Sequence, residues 1–159
     1  MIAACVYIGA LCAANYLVFL FGPWWSLVNS FALIGLDFVL RDRLHERLGL
    51  WWVSALALAA GVISYLLNPA GGMIALASCV SFVLAALGDG VAYQALMRRP
   101  WPVKSNASNA VAAGIDSLIF PLIAFGGLMP HIVIGQFVAK LGGGFVWSLM
   151  LGGGRRVAA

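Results

Sequence analysis

The feature that most restricts the fold is a series of long apolar runs that follow one another along almost the whole chain of 159 residues. A helix needs about 20 mostly apolar residues to cross a bilayer. Charged residues make up only 9% of the chain, whereas a soluble domain carries about 25%. The runs are continuous rather than alternating between apolar and polar residues, which predicts membrane-spanning helices and not a membrane β-barrel. We therefore expect the lipid bilayer as a partner and no nucleic acid.

Prolines and basic clusters divide these runs into helices. Pro23, Pro69 and Pro130 follow the first, third and fifth runs, and proline stops a helix. The charged segments RDRLHER and RRPWPVK separate the second run from the third and the fourth from the fifth. The sequence predicts an all-α membrane protein in which residues 1–159 form one bundle of six transmembrane helices. The predicted spans are residues 3–21, 25–40, 50–68, 72–97, 107–128 and 131–151.

The distribution of Lys and Arg predicts the orientation of the bundle. With six spans, the two basic connections and the C-terminus lie on one side of the membrane, and the three connections that contain proline carry no Lys or Arg. Basic residues accumulate on the cytoplasmic side, so we expect both termini in the cytoplasm. The basic residues on this side are Arg41, Arg43, Arg47, Arg98, Arg99, Lys104, Arg155 and Arg156.

Two ionisable residues fall near the centres of predicted spans. Lys140 lies within the sixth span and Asp116 at comparable depth within the fifth. A charge at the bilayer centre costs about 2.5 to 3.5 kcal/mol on insertion scales, and such residues face the bundle interior. We expect Lys140 and Asp116 to form an ion pair. Two roles stay open, a ligand site and a pair that only neutralises two charges for packing.

Further polar and aromatic residues recur at helical spacing in the last three spans. Asn109 and Asp116 are two helical turns apart and so share one face, as do Gln136 and Lys140 at a spacing of four. Amide groups and charges of both signs on converging faces are typical of a site for a small polar ligand. The candidates on these faces are Ser78, Phe82, Asp89, Tyr93, Asn109, Asp116, Phe120, Gln136 and Lys140.

The sequence does not favour an enzyme or a metalloprotein. His45 and His131 fall at opposite edges of the membrane, and the spacings of common zinc sites do not occur. The three cysteines lie inside apolar runs, where thiols behave as small hydrophobes. We therefore expect no catalytic residues, no metal and no cofactor.

Two patterns leave structural alternatives open. The glycines of residues 142–144 permit either close helix approach or local unwinding. The spacing of polar residues in the second helix is loosely similar to that in the fifth, which suggests a 3+3 inverted repeat. The residues of this second pattern are Ser26, Asn29 and Asp37, against Asn106, Asn109 and Asp116.

Four segments, in order along the chain, resemble one family. They are FVLRDRLHERLG (38–49), LGDGVAYQALMRR (87–99), SNASNAVAAGIDSLIFPLIAFG (105–126) and GQFVAK (135–140). The chain from about residue 26 onward is similar to the VUT family, also called queuosine precursor transporters. The resemblance implies that a six-helix carrier in the bacterial inner membrane takes up a deazapurine, 7-cyano-7-deazaguanine or its aminomethyl relative. The site positions that it implies are Arg41 and Asp42 as a cytoplasmic motif, with Asp89, Ser105, Asn106, Asp116, Phe120, Gln136 and Lys140.

Two other classes of function remain open. The chain is compatible with a substrate-binding subunit of a multi-component vitamin-type uptake system, which a separate module energises. Ala10 and Ala14 on the first helix would then offer a docking face of small residues. It is also compatible with a structural membrane subunit that transports nothing. A homodimer is compatible with any of these, and the sequence does not distinguish proton coupling, ion coupling and facilitated diffusion.

Overall fold

The computed structural model describes residues 2–152, which form helices joined by short turns. Arg155 and Arg156, two of the predicted cytoplasmic residues, lie outside this range. A π-helical turn, Ser30–Ile34, joins α2 to α3, and a short 3₁₀ helix, Pro69–Gly71, precedes α5. The α-helices are α1 (Ile2–Phe21), α2 (Trp25–Asn29), α3 (Gly35–Leu48), α4 (Leu50–Leu67), α5 (Gly72–Ala95), α6 (Trp101–Ala124) and α7 (Pro130–Gly152).

The short connections place the turns at two ends of the helix bundle. The connections that contain or precede Pro23, Pro69 and Pro130 lie at one end, which we call the proline end. The α3 to α4 and α5 to α6 connections lie at the other, which we call the basic end. At the basic end Gly49 adopts φ of 85°, a value that favours glycine, and its N–H bonds to the His45 carbonyl at 2.9 Å. This single residue lets the chain reverse between α3 and α4.

The second predicted helix is longer than the sequence indicated. Helical structure continues from Trp25 through the π-helical turn to Leu48, so the prediction that RDRLHER forms a loop is wrong. The helix persists because Arg41 and Asp42, which begin this segment, contact polar partners inside the bundle. In the same way α6 begins at Trp101 rather than near residue 107, directly after Pro100. The other predicted spans agree with the observed helices to within a few residues.

The polarity of the molecule is reversed relative to a soluble protein. Large apolar side chains cover the outside, among them Leu67 (72% exposed) and Met150 (68% exposed). Charged side chains such as Arg41 and Lys140 are instead about 1% exposed. Soluble proteins rarely expose large contiguous apolar patches. This arrangement fits a protein whose outer surface contacts lipid.

Five of the helices in the described part of the chain are long and apolar enough to cross a membrane, namely α1, α4, α5 with the preceding 3₁₀ helix, α6 and α7. The segment of α2, the π-helical turn and α3 is not among them. It is divided by the π-helical turn and carries several charges in α3. An all-helical membrane protein is therefore supported, and the sixth span remains a prediction.

The π-helical turn and α7 approach each other closely through glycine. A Cβ atom on Gly143 would lie 2.0 Å from the Phe31 carbonyl oxygen, and one on Gly35 would lie 2.5 Å from the backbone of Gly143. The Trp147 indole N–H donates to the Ala32 carbonyl in the same turn, at 2.9 Å. Helix α7 is continuous here, so these glycines serve close approach and not local unwinding.

The proposed docking face on α1 is not on the surface. Ala10 is 8% exposed and Ala14 is 4% exposed, because this side of α1 packs against the other helices. The prediction that these two residues could receive an energising module is wrong. Helical spacing shows which residues share a face but not whether that face contacts the bundle or the lipid.

Candidate functional site

A small cavity lies between α1, the α2 to π-helical turn region, α5, α6 and α7, in the half of the bundle nearer the proline end. Its volume is about 20 Å³, room for about one water molecule. We call it the central cavity. Its apolar lining is Ala14, Val18, Ile34, Phe82 and Phe120, and its polar lining is Asn15, Ser26, Asn29, Ser30, Ser78, Asp116, Gln136 and Lys140.

Lys140 is the cation of this cavity. Its Nζ lies 2.9 Å from Asp116 Oδ2 and donates to Gln136 Oε1 at 2.9 Å and to Ser117 Oγ at 3.0 Å. An ammonium has three N–H donors, so these three acceptors satisfy it completely. The Lys140 and Asp116 side chains are 2% and 3% exposed. A buried charge with a full set of partners is held in one position.

The same network continues from α7 to α2. Gln136 Nε2 donates to Ser26 Oγ at 2.8 Å, and the Ser26 hydroxyl donates to the Pro23 carbonyl. The amide of Gln136 thus bridges Lys140 on its own helix and Ser26 at the start of α2. Hydrogen bonds therefore connect three helices around one side of the cavity.

One buried acceptor in this network has no partner. Asp116 Oδ1 is buried and makes no hydrogen bond, although Oδ2 of the same carboxylate contacts Lys140. Buried polar atoms are nearly always hydrogen-bonded, so an exception in a cavity wall indicates a group that a ligand or water would satisfy. The cavity therefore offers a carboxylate oxygen to a hydrogen-bond donor.

Amides and hydroxyls of α1, α2 and α5 form a further part of the cavity lining. Asn15 Nδ2 donates to Ser64 Oγ at 2.9 Å, and the Ser78 hydroxyl donates to Asn15 Oδ1. Asn29 Nδ2 donates to the Ala14 carbonyl at 2.8 Å. These bonds hold α1 against α2, α4 and α5.

Two phenylalanines supply the aromatic surface. Phe82 and Phe120 line the cavity and are 5% and 7% exposed. The rings of Phe120 and Phe125 meet edge to face at 5.8 Å, a favourable geometry that fixes the Phe120 ring. An aromatic face therefore lies beside the charged and amide groups.

A second buried polar group lies nearer the basic end. We call it the Arg41 cluster, and it contains Asp37, Arg41, Asp42, Asp89, Ser105 and Asn109. Arg41 Nε lies 3.7 Å from Asp89 Oδ2, an ion pair too long for a hydrogen bond. The Ser105 hydroxyl donates to Asp42 Oδ2 and accepts from Asn109 Nδ2 at 3.5 Å. Asp37 lies one helical turn before Arg41 on α3 and is 1% exposed.

Many polar atoms of the Arg41 cluster lack a hydrogen-bonding partner. They include both carboxylate oxygens of Asp89, one oxygen each of Asp37 and Asp42, Arg41 Nε and Nη2, and Asn109 Oδ1. A group of buried but unsatisfied atoms is typical of a polar site and not of a closed packing core. The interior thus holds two polar sites at different depths.

Comparison with known families decides the class of the protein. Residues 3–151 match the model of a family described as "Putative vitamin uptake transporter". The chain belongs to this family. The predicted resemblance is confirmed, and a transport function follows at the level of the family. No curated protein and no solved structure matches the chain.

In this vitamin uptake transporter family member, half of the predicted substrate residues meet at the central cavity. They are Asp116, Phe120, Gln136 and Lys140. Asp89 and Asn109 lie instead in the Arg41 cluster. Asn109 precedes Asp116 by two turns, a displacement of about 10 Å along α6. A shared helix face therefore does not place these two residues in one site.

The remaining two predicted residues lie at the basic end. The Tyr93 hydroxyl donates to Glu46, and its ring lies beneath the Lys104 ammonium at 4.7 Å. Asn106 is partly exposed and donates to the Pro102 carbonyl at 2.7 Å within the first turns of α6. The structure does not bring either residue to the central cavity.

The predicted cytoplasmic motif is buried. Arg41 and Asp42 are 1% and 0% exposed and belong to the Arg41 cluster, so the prediction that they lie in a loop is wrong. The neighbouring Arg47 is exposed, as predicted for a basic residue at this end. A run of charges at the end of an apolar stretch is typical of a loop, and only the partners on α5 and α6 reveal that two of them turn inward.

Sequence reasoning missed the contribution of the first two helices to the cavity. Asn15, Ser26, Asn29 and Ser30 all line it. Ser26 and Asn29 had been singled out only for the inverted repeat, and Asn15 resembles an ordinary interhelical contact. Polar residues inside an apolar run were the available signal. Within residues 2–152, no three His, Cys, Asp or Glu side chains are grouped to hold a metal ion.

Proposed function

We propose that the protein is an inner-membrane transporter that imports a queuosine precursor, 7-cyano-7-deazaguanine or 7-aminomethyl-7-deazaguanine. Membership of the vitamin uptake transporter family supports the class. The motifs of residues 105–126 and 135–140 support the substrate, because they contain Asp116, Gln136 and Lys140, which meet at the central cavity. Facilitated diffusion and coupled uptake are both compatible with this function.

The observation that carries the proposal is the unpartnered Asp116 Oδ1 in a wall that also holds Lys140 and Gln136. A guanine-like edge presents adjacent N–H donors, which suit a carboxylate, and a carbonyl, which suits an ammonium or amide donor. Asp116 would accept from the ring N–H and the exocyclic amine. Gln136 would donate to the carbonyl, or Lys140 would do so in exchange for one of its three acceptors, and Phe120 would cover the ring face.

The size of the cavity bears on how the proposed solute would enter it. A volume of about 20 Å³ is far below the roughly 300 Å³ or more of typical small-molecule pockets. A bicyclic deazapurine therefore enters only after the helices around the cavity separate. In the proposed cycle this arrangement is a closed one, in which Lys140 and its three acceptors fill the site.

We further propose that all six predicted spans cross the membrane, with both termini in the cytoplasm. The charges of α3 do not oppose this, because Asp37, Arg41 and Asp42 are buried against other helices and do not face lipid. Cations at the basic end include Arg98, Arg99 and Lys104, which supports a cytoplasmic location for that end.

The function is tested by uptake in cells that cannot synthesise the precursor, with queuosine in tRNA as the readout. The native chain is compared with Asp116→Asn and Lys140→Met at matched membrane levels. Lys104→Met is the matched control, because Lys104 is a lysine at the basic end that contacts neither cavity residue. We expect the native chain and the Lys104→Met variant to restore queuosine and the two cavity variants to lose at least 90% of it.

If a well-expressed native chain restored no queuosine, the proposed substrate would be wrong. Loss of function in the Lys104→Met variant as well would indicate a general effect of removing a lysine. Co-purification of an ATPase together with a membrane partner would instead favour the alternative of a binding subunit.

A further inference from the structure

A second, larger opening lies on the side of the bundle next to the central cavity. It has a volume of about 350 Å³, which is in the range of small-molecule pockets. It lies among α1, the end of α4, the 3₁₀ helix and the start of α5, and so towards the proline end. We call it the side crevice, and it is lined chiefly by Cys12, Asn15, Tyr16, Ser64, Leu67 and Asn68.

The polarity of the side crevice distinguishes it from a groove filled by lipid. It contains two amides, Asn15 and Asn68, and the hydroxyl of Ser64. A neighbouring groove of about 320 Å³ between α4 and α5 is of similar size but has an almost wholly apolar lining that includes Cys79. Amide and hydroxyl groups in a lining can hydrogen-bond a polar solute or water, whereas an apolar lining cannot. The side crevice is therefore suited to a polar solute and the neighbouring groove to acyl chains.

Asn15 belongs to both the side crevice and the central cavity. Its Nδ2 donates to Ser64, which lines the side crevice, and its Oδ1 accepts from Ser78, which lines the central cavity. These three residues are 7%, 5% and 0% exposed. Three hydrogen-bonded side chains from α1, α4 and α5 thus form a partition between the two spaces.

We propose that the side crevice is the entrance of the transport path on the side of the proline end, where the solute first binds, and that the Asn15, Ser64 and Ser78 side chains form the gate to the central cavity. The inference rests on the proposed function, which makes the proline end the extracytoplasmic end. Volume supports it, because a flat bicyclic solute fits the crevice but not the closed central cavity. Breaking two hydrogen bonds of Asn15 would open the path.

The native cysteines provide the test. Cys12 lines the side crevice, Cys79 lines the apolar groove, and Cys5 is exposed on α1 two turns before Cys12. Three variants that each keep one cysteine, with alanine at the other two positions, are labelled with a positively charged methanethiosulfonate that does not cross membranes. Only a thiolate reacts, and it forms only where water is present, so the labelling rate reports a water-filled crevice. Right-side-out and inverted membrane vesicles distinguish the two ends.

We expect Cys12 to be labelled in right-side-out vesicles at least tenfold faster than Cys79 or Cys5. Labelling should block uptake of 7-cyano-7-deazaguanine, a reductant that removes the label should restore it, and the solute should slow the labelling. The proposed entrance would be wrong if Cys12 were labelled no faster than Cys79. It would also be wrong if Cys12 were labelled fast only in inverted vesicles. Complete labelling without loss of uptake would overturn it as well.

The labelling rate separates this inference from the identity of the substrate. Suppose that Cys12 is labelled as expected, but 7-cyano-7-deazaguanine is not taken up and does not slow the labelling. The proposed entrance is then supported and the proposed substrate is wrong. If the solute is taken up but Cys12 is inaccessible, the substrate stands and the entrance is wrong.

The gate has its own test in a variant without native cysteines. Ser30 lines the central cavity but not the side crevice, so Ser30→Cys reports access beyond the gate. We expect slow labelling of Ser30→Cys from the outside and labelling at least fivefold faster when Asn15→Ala is added. An unchanged rate would show that Asn15 does not close the path.

Discussion

Lys140 and Asp116 form an ion pair with an Nζ to Oδ2 distance of 2.9 Å, at a place where both side chains are almost completely buried. Their helices, α6 and α7, are joined by a short connection at the proline end, so the pair closes one side of the central cavity. Whether the pair binds solute or only neutralises charge is decided by removing both residues together.

We expect the double variant Asp116→Leu, Lys140→Met to be folded but inactive. Removing one partner of a buried ion pair lowers stability by about 3 to 5 kcal/mol, whereas replacing both partners by apolar residues often leaves stability unchanged. Each single variant should therefore melt at a lower temperature in detergent than the double variant, while uptake is lost in all three. Uptake at the native rate by the double variant would show that the pair is only structural.

In the Arg41 cluster, Arg41 is the only cation among three carboxylates, those of Asp37, Asp42 and Asp89. Arg41→Gln should lower the melting temperature markedly, because it leaves these charges buried without compensation. Adding Asp89→Asn should restore part of the loss, since one of the uncompensated charges is then removed. Arg47→Gln is the control, because Arg47 is exposed at the end of the same helix. Additive effects of the two substitutions would contradict the pairing.

The three consecutive glycines of α7 should differ sharply in tolerance. Gly143→Ala places a methyl group 2.0 Å from the Phe31 carbonyl oxygen, and that oxygen belongs to backbone that cannot move aside easily. We expect a loss of about 1 to 3 kcal/mol or more, seen as a lower melting temperature and a lower membrane level. At Gly142 and Gly144 the nearest atoms are phenylalanine ring carbons at 3.6 Å.

Gly142→Ala and Gly144→Ala therefore serve as matched controls within the same turn of helix. Both should be expressed and melt like the native chain. Equal sensitivity at all three positions would indicate that α7 requires glycine for flexibility and not for contact with the π-helical turn.

Substitutions of the two asparagines at the start of α6 should reduce uptake to different extents. Asn109 is 3% exposed and its Oδ1 has no partner, whereas the Asn106 amide bonds to the Pro102 carbonyl and is partly exposed. We expect Asn109→Ala to reduce uptake at least fivefold and Asn106→Ala to change it less than twofold, both measured at matched membrane levels. A large effect at Asn106 with none at Asn109 would place the path on the other face of α6.

Sequence patterns predicted the helical architecture and one half of the candidate site. Runs of about 20 apolar residues have one stable form in lipid, so α1, α4, α5 and α7 could be located within a few residues. The start of α6 was missed, because it lies at Trp101 and not near residue 107. Lys140 and Asp116 were identified because a charge inside such a run is costly unless it is paired. Gln136 and Phe120 followed from helical spacing along the same faces.

Spacing along a helix was not sufficient to predict which polar residues meet. Asn109 and Asp116 share a face of α6 but lie in two sites at different depths, and Tyr93 reaches the basic end. The contributions of Asn15, Ser26 and Asn29 depend on how α1 packs against α2 and how α2 packs against α7. The π-helical turn after α2 approaches α7 closely at Gly143. Such contacts are between residues far apart in sequence.

By itself, the sequence determined that this chain is a helical membrane protein, because the length of an apolar run is a local property, and its motifs indicated the transporter family. It also identified Lys140 and Asp116, because a charge inside an apolar run is costly unless it is paired. The tertiary structure decided the rest. It turned Arg41 and Asp42 inward, divided the polar residues between two sites and placed Asn15 between the central cavity and the side crevice. The physical reason is that a helix presents a side chain to lipid or to a partner according to its rotation and depth in the bundle, which only packing against the other helices sets.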